Sequence, residues 1–356
     1  MIRKHGADIY KYRGKDGGLL DFSTNTNPFG LPESVKQAAQ ESLGRLEYYP
    51  DVRCDDLRNA LAEFEQVPED YIICGNGATE LLYALAFALQ PLEALIPVPA
   101  FLEFESSLCS LDCRVRHLHL TEEKGFRLDE TILADISLSM NVLFLSNPAN
   151  PSGVLTDRGL LESILEKCAR EDVVVVMDEC FLDFADEPSK YTLHDLVPKF
   201  RNLFLLKSFT KTYAMAGLRL GYGLCSNIDL LEAMRSVVQP WNVSTPAQAA
   251  GIAAIRETGY VEAARTLVHQ ERIRMAAELT KAGYKVFDSG VNYLLFKGAE
   301  DLGEKALEAG YILRNGCHYE GLSKEYYRIA VRKPEENSKL LSWLHEFSQS
   351  TAEATF

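Results

Sequence analysis

The sequence predicts an α/β fold in which a mainly parallel, doubly wound sheet carries helices on both faces. Between residues 71 and 224, short apolar runs alternate with longer amphipathic stretches such as residues 159–171. Continuous apolar runs of this length are typical of strands that are buried on both faces. The predicted strands are residues 71–74, 94–98, 142–145, 173–177, 203–206 and 220–224.

A second, smaller α+β unit is predicted after residue 240, where the pattern changes. Helical stretches at residues 247–258 and 261–282 precede strand candidates at residues 293–296 and 327–331. Leucines then recur at helical spacing through residues 334–347, which predicts a closing helix. The C-terminal part of the chain is therefore expected to form its own small sheet with helices.

The first 30 residues are rich in Gly, Asn and Asp and show no helical period. We expect them to pack as an arm and loop on the smaller unit. A chain of 356 residues exceeds the usual size of a single hydrophobic core. The predicted organisation is an arm and part of the small domain at 1–44, a large domain at 45–240 and a small C-terminal domain at 241–356.

The charge balance restricts the partners of the protein. The formal net charge is −14, from 37 Lys and Arg residues against 51 Asp and Glu residues. Nucleic acids and anionic membranes require clustered positive charge, so neither is an expected partner. No apolar run approaches the roughly 20 residues of a membrane span, and no signal peptide is evident. The sequence predicts a cytoplasmic protein that would hold an anionic substrate with a few local cations.

The eight cysteines are scattered and show neither a C-x-x-C pair nor a histidine partner at zinc spacing. Several lie in apolar runs, where a free thiol packs as a small hydrophobic group. We therefore predict structural thiols and no metal site.

The most informative stretch spans residues 208–221. An amine at Lys211 can bond covalently to the aldehyde of pyridoxal phosphate, and Ser208, Thr210 and Arg219 can hold the phosphate of that cofactor. By itself the stretch is equally compatible with a surface lysine beside a glycine-rich turn. Signals earlier in the chain favour the cofactor anchor.

Two upstream segments follow predicted strands. Gly77, Ala78 and Thr79 lie where a strand passes into a helix, and the free amides of a helix N-terminus can bind phosphate. Asp178 ends another strand, at the edge where open α/β sheets bind ligands, and could pair with a protonated pyridine nitrogen. The alternatives are an ordinary turn for the first segment and a helix-capping role for Asp178.

Two more candidate ligand-binding residues also follow predicted strands. Asn150 lies in a loop with two prolines after a strand and can donate to a ring hydroxyl or a carboxylate. Phe101 could stack on a cofactor ring, although an aromatic residue after a strand more often belongs to the core. Because Asn150 and Phe101 occur in a series of candidate residues that follow strands, we favour a ligand-binding role for both.

In this order the segments resemble the fold-type-I pyridoxal phosphate enzymes of the aspartate aminotransferase superfamily, over nearly the whole chain. The resemblance implies that Lys211 anchors the cofactor and that Asp178 holds its pyridine nitrogen. It also implies that Phe101 stacks on the ring and that Asn150 meets the ring hydroxyl. The implied phosphate-binding residues are Gly77, Ala78, Thr79, Ser208, Thr210 and Arg219. A homodimer is implied as well, with Tyr49 reaching the site of the other subunit.

The two ends of the chain resemble the threonine-phosphate decarboxylases, whose nearest relatives are the histidinol-phosphate aminotransferases. The likeness rests on His5-Gly6 and on residues 20–30, 239–243, 314–319, 321–322 and 326–328. It implies a small anionic phosphorylated amino acid as substrate, with Arg328 on the carboxylate and Arg314 on the phosphate. Arginine suits both groups because its planar donors match their oxygens bidentately. For Arg314 a solvated surface charge is the alternative. The implied substrate-binding set also includes His5 and Asn27.

The resemblance implies decarboxylation of O-phospho-L-threonine to (R)-1-aminopropan-2-yl phosphate in cobalamin biosynthesis. In the aminotransferases a tyrosine usually occupies the position of Phe181, and its absence here favours the decarboxylase branch. The rival is an aminotransferase of the histidinol-phosphate or aromatic type that uses 2-oxoglutarate. A third possibility is a ligand-sensing regulator, but such proteins usually carry an appended helix-turn-helix domain, for which the 30 residues ahead of the first helix are too few.

Overall fold

The computed structural model describes residue 10 and residues 18–353, with side chains up to residue 350. The strands are β1 (Leu20–Asp21), β2 (Ile72–Gly75), β3 (Glu93–Val98), β4 (Arg114–His119), β5 (Val142–Ser146), β6 (Val174–Asp178), β7 (Leu203–Ser208), β8 (Gly221–Leu224), β9 (Lys285–Val286), β10 (Tyr293–Lys297), β11 (Tyr311–Ile312), β12 (Arg314–Asn315) and β13 (Tyr326–Ala330). The helices are α1 (Glu33–Ser42), α2 (Asp55–Glu65), α3 (Ala78–Leu89), α4 (Leu102–Ser106), α5 (Ile132–Asp135), α6 (Arg158–Arg170), α7 (Phe209–Thr212), α8 (Ile228–Val237), α9 (Thr245–Ala254), α10 (Thr258–Lys281), α11 (Leu302–Glu308) and α12 (Pro334–Glu353).

A seven-stranded sheet lies at the centre of the described residues, in the order β2-β8-β7-β6-β5-β3-β4. Its strands are parallel except for β8, which runs antiparallel to both β2 and β7. Parallel neighbours need crossover connections, and α6 provides one between β5 and β6. The predicted doubly wound, mainly parallel sheet is confirmed.

Both faces of this sheet are buried, as the continuous apolar runs predicted. In β5, Val142 and Phe144 pack into one hydrophobic cluster together with residues of α3 and α8. The alternate residues Leu143 and Leu145 pack into a second cluster with α2, α6 and α9. Successive side chains of a strand point to opposite faces, so an apolar residue is needed at every position.

A smaller antiparallel sheet in the order β12-β13-β10-β9 lies in the C-terminal part of the chain. The N-terminal segment joins this part, because β1 pairs in parallel with β11 and the amide of Ala330 donates to the carbonyl of Phe22 at 2.8 Å. Residues 20–22 of the predicted arm therefore contact the C-terminal part of the chain. The boundaries after residues 44 and 240 stay a prediction.

Three elements differ from the sequence prediction. The edge strand β4 was missed because its residues are mostly polar and half-exposed. The helix predicted at residues 247–258 is wrong at both ends. Helix α9 begins at Thr245, because the Ser244 side chain accepts from the Ala247 amide. It ends at Ala254, where the chain turns before α10 begins. The closing helix α12 runs to residue 353 rather than 347. Among the described helices, none has the length and apolar character of a membrane span.

Candidate active site

A cavity of about 210 Å³ lies beside the carboxyl ends of β6 and β7. Ligands of open α/β sheets bind at this edge because the loops that follow parallel strands converge there. The C-terminal sheet supplies part of the wall, so the cavity joins residues that are distant in sequence. The cavity brings together the predicted residues Ala78, Thr79, Phe101, Asn150, Asp178, Ser208, Thr210, Lys211, Arg219, Arg314 and Arg328.

Lys211 lies in the short helix α7, directly after β7. The Ser208 side chain begins this helix by accepting from the Thr210 amide at 3.1 Å. Burial, together with the positive charges of Arg328 and Arg219, lowers the pKa of Lys211 to about 8. A lysine amine attacks a carbonyl only when it is neutral, so the lowered pKa suits Lys211 to bind an aldehyde near neutral pH.

Asp178 is the last residue of β6 and lines the same cavity as Lys211. Its carboxylate is 7% exposed and accepts a 2.9 Å hydrogen bond from the Cys180 amide. Burial raises the pKa of Asp178, while the bond from Cys180 and the charge of Lys211 oppose the rise. A protonated ring nitrogen at this position would give the buried carboxylate a cationic partner.

A compact anion cradle forms where β2 passes into α3. A Cβ added to Gly77 would lie 2.4 Å from Nη2 of Arg219, so only glycine allows this guanidinium to lie against the turn. A Cβ on Gly221 would likewise meet the backbone nitrogen of Ala78 at 2.4 Å. No side chain caps the start of α3, and its first residues Ala78 and Thr79 line the cavity together with Ser208 and Thr210. Helix amides, hydroxyls and a guanidinium fit the phosphate of pyridoxal phosphate.

Arg328 is buried on β13 and is held in one orientation by two other segments. Its Nη1 donates to Oδ1 of Asn150 at 2.6 Å, and its Nη2 donates to the carbonyl of Ser23 at 3.1 Å. The Nε group is buried without a hydrogen-bond partner. Because Oδ1 of Asn150 accepts from Arg328, the donor Nδ2 is the group that Asn150 can offer to the predicted ring hydroxyl.

Arg314 is buried on β12, with its guanidinium carbon 5.2 Å from the centre of the Tyr319 ring. Among the described residues that line the cavity, the charged groups are four cations and one carboxylate, Asp178. The cations are Lys211, Arg219, Arg314 and Arg328. This excess of positive charge in a chain of net charge −14 can bind an anionic ligand with more than one charged group.

Two predicted residues, Asn27 and Tyr49, do not line the cavity. Asn27 is buried, but its amide group donates to the carbonyl of Thr212 at 2.9 Å and its backbone amide donates to the carbonyl of Lys211 at 2.9 Å. Its place is therefore against the backbone of α7, and it is not among the residues that line the cavity. Tyr49 is 78% exposed and stacks on Trp241 with ring centres 4.5 Å apart. His5 lies outside the described residues.

Sequence reasoning also missed residues of the cavity wall. Ser23 and Thr24 line it directly after β1, and both hydroxyls donate to the carboxylate of Asp21. Their position in the Asn-rich N-terminal motif was the available signal. Tyr319 also lines the wall, and its position in the stretch 314–319 that resembles the decarboxylases was the available signal.

The doubly wound sheet, the lysine after β7, the aspartate at the end of β6 and the phosphate cradle define a pyridoxal phosphate enzyme of fold type I. The chain belongs to the family described as aminotransferase class I and II, whose model matches residues 18–344. The cofactor predicted from the sequence, pyridoxal 5′-phosphate, is therefore confirmed.

Relatives within the family catalyse two kinds of reaction. The chain is 34% identical over 343 residues to the threonine-phosphate decarboxylase of Salmonella typhimurium, covering 94% of this chain and 93% of that one. It is 31% identical to the histidinol-phosphate aminotransferase of Methanothermobacter thermautotrophicus, covering 97% and 93% of the two chains. The solved structure of the histidinol-phosphate aminotransferase from Clostridium acetobutylicum superposes with a TM-score of 0.87 at 28% identity, covering 93% of this chain and all of that one.

Proposed function

We propose that this enzyme decarboxylates O-phospho-L-threonine to (R)-1-aminopropan-2-yl phosphate, a step of cobalamin biosynthesis. The observation that carries the proposal is the pair of buried arginines, Arg314 and Arg328, on one cavity wall. Arg219 lies against Gly77 in the anion cradle. Arg314 and Arg328 line the same cavity, and we assign them to the two anionic groups of the substrate.

The surroundings of the two arginines suggest which anion each would bind. Arg328 is fixed by Asn150 and Ser23, so its remaining donors can hold a planar carboxylate close to Lys211. Arg314 is adjacent to Tyr319 and can meet the phosphate at the other end of the substrate. Histidinol phosphate lacks a carboxylate, whereas O-phosphothreonine has both a carboxylate and a phosphate.

The proposed reaction breaks the bond between Cα and the carboxylate, releases carbon dioxide and adds a proton to Cα. When bound, pyridoxal phosphate supplies an electron sink for the electron pair that remains at Cα. Lys211 is the candidate proton donor, because its Nζ lies in the cavity and its pKa of about 8 allows proton transfer near neutral pH. The buried Asp178 would keep the ring nitrogen protonated and so preserve the electron sink.

Transamination is the second candidate, because the chain is also similar to histidinol-phosphate aminotransferases. In that reaction the same lysine would remove the Cα proton, and the carboxylate would stay on the substrate. The choice between the two reactions depends on which bond to Cα stands perpendicular to the cofactor ring. Phe181 lines the cavity with its ring centre 5.4 Å from Nζ of Lys211, and it has no hydroxyl to donate to the cofactor. The missing donor favours decarboxylation.

The decisive experiment measures both reactions with one preparation of protein. With O-phosphothreonine we expect carbon dioxide and aminopropanol phosphate in equal amounts. With histidinol phosphate and 2-oxoglutarate we expect little glutamate. Phe181→Tyr, which restores the hydroxyl, should raise glutamate formation relative to carbon dioxide release. Glutamate formation without carbon dioxide release in the wild-type protein would overturn the proposal.

We also propose a homodimer in which Tyr49 completes the cofactor site of the other subunit. Tyr49 and its neighbour Tyr48 are 78% and 68% exposed. Leu43 and Leu46, which are close in the sequence, are also exposed, and so is Trp241, on which Tyr49 stacks. Exposed apolar groups of this extent are typical of protein–protein interfaces.

Light scattering should give the mass of a dimer, and Tyr49→Phe should weaken cofactor retention, whereas the matched Tyr48→Phe should not. A monomer that retains the cofactor fully would contradict this role of Tyr49.

A further inference from the structure

Two histidines and a glutamate meet at the edge of the large sheet. His117 and His119 are two residues apart on β4, so their side chains project from the same face of the strand. Glu320 lies between β12 and β13 and reaches the same place. One donor atom from each of the three residues lies within 4.8 Å of the other two. The cluster is separate from the cofactor cavity, which none of the three lines.

The cluster contains a histidine nitrogen that its surroundings do not satisfy. Nε2 of His117 is enclosed and has no hydrogen-bond partner. The carboxylate of Glu105 lies 3.9 Å from this nitrogen, beyond hydrogen-bond distance. An enclosed polar nitrogen that makes no hydrogen bond costs free energy, which a bound ion could recover.

We propose that His117, His119 and Glu320 bind a divalent cation of the zinc type. Two imidazoles and a carboxylate, with water in a fourth position, are ligands that zinc accepts. Bond lengths of about 2.0 to 2.2 Å place tetrahedral ligand atoms roughly 3.4 Å apart, so the side chains must close by up to about 1.4 Å. His119 and Glu320 are exposed and can rotate to do so. Local sequence spacing does not predict this site, because the third ligand comes from a distant segment.

The ion would connect the edge strand to a segment of the cavity wall. Glu320 follows Tyr319, which lines the cavity and contacts Arg314. Tyr319 and Leu322 already pack with Phe126 in a small hydrophobic cluster. A metal bond at Glu320 would add a link to β4 and hold Tyr319 in place. We expect bound zinc to slow hydrogen exchange of the backbone amides around Tyr319.

Calorimetric titration of the chelator-treated, cofactor-loaded protein with zinc chloride tests the site. We expect one zinc ion per chain in the wild-type protein. His119→Ala and Glu320→Gln should each weaken binding at least about tenfold. His345→Ala, which removes a histidine on α12, is the matched control and should bind as the wild type does. Visible absorption of the bound cofactor would verify that each variant is folded, and the result does not depend on which reaction the enzyme catalyses.

A neighbouring pair provides the alternative to be excluded. The exposed thiol of Cys317 lies 3.8 Å from Nδ1 of His318, and such a pair can also take zinc. Cys317→Ser should therefore leave both zinc affinity and the slowed exchange unchanged. Zinc binding that is lost in Cys317→Ser but retained in His119→Ala would overturn the proposal, as would a wild-type protein that binds no zinc.

Discussion

Lys207 and Lys211 are four residues apart and both partly buried, yet their surroundings give them opposite charge properties. At Lys207, burial is outweighed by the carboxylates of Glu65 and Glu179, so the pKa is raised. At Lys211, the charges of Arg328 and Arg219 add to burial, and the pKa falls to about 8. Burial is common to both lysines, so the sign of the neighbouring charges makes Lys207 a permanent cation and Lys211 a reactive amine.

The geometry around the two lysines agrees with this difference. Nζ of Lys207 lies 3.6 Å from Oε2 of Glu179, whose side chain is fully buried. Glu65 is also buried there and accepts from the hydroxyl of Tyr222. Lys211 instead faces the cavity with Arg328 and Arg219. The comparison predicts a structural role for Lys207 and a chemical role for Lys211.

The largest expected effect is that of Lys211→Ala on activity. Loss of the amine that we propose binds the cofactor and moves the proton should reduce carbon dioxide release by about ten-thousandfold or more. The borohydride-sensitive visible absorption of the lysine-bound cofactor should disappear. Lys207→Arg is the control and should keep that absorption. Absorption that persists in Lys211→Ala would move the anchor elsewhere and remove the contrast between the two lysines.

Lys207→Met should have the next largest effect, on stability rather than chemistry. It leaves the carboxylates of Glu179 and Glu65 buried without their cation, which should lower the free energy of unfolding by about 3 to 5 kcal/mol. Urea denaturation of the cofactor-free protein measures the loss. Lys207→Arg retains the charge and should lose less. If Lys207→Met unfolds at the wild-type urea concentration, Lys207 is not structural.

Arg314→Ala should weaken substrate binding without affecting the cofactor. Removing one partner of a buried charge pair costs at least about 2 kcal/mol, which corresponds to roughly a thirtyfold rise in KM for O-phosphothreonine. Arg332→Ala is the matched control, because Arg332 pairs with Glu336 and does not line the cavity. Equal KM values for the two variants would place the substrate phosphate away from Arg314.

The smallest effect concerns the pH dependence of stability in the cofactor-free protein. The pKa of Lys211 falls from an ordinary value of 10.5 to about 8, so between these values the unfolded chain binds more protons than the folded protein. The cost of burying a charged Lys211 is complete below pH 8 and disappears as pH rises through this window. Lys211→Met should therefore be more stable than the wild type at pH 7.

The stability advantage of Lys211→Met should vanish near pH 10.5. Urea denaturation of both proteins across this range gives the comparison. An advantage that stays constant with pH would show that Lys211 is not the titrating group.

Most of the fold could be predicted because burial on both faces produces continuous apolar strands. The predicted runs at residues 142–145 and 203–206 match β5 and β7 closely. The edge strand β4 lacks this signal since one side of it faces solvent. The end of α9 was also missed, because the apolar pattern continues through the turn between α9 and α10.

The candidate site was predictable where residues follow strands. Asp178 and Lys211 could be placed together because the carboxyl ends of parallel strands meet at one edge. Asn27 was assigned to the substrate from a motif, whereas its hydrogen bonds to Thr212 and Lys211 are set by tertiary contacts. The sequence pattern contains no signal for the cluster of His117, His119 and Glu320, because its members come from distant segments.

Local sequence pattern was enough to predict the buried strands of the large sheet and the residue types of a cofactor anchor, because both depend on residues close together in the chain. Which of the two lysines is reactive depends on the folded structure. The pKa of an amine depends on charges within a few ångströms, and Arg328 and Glu65 reach their lysines from more than 100 residues away along the chain.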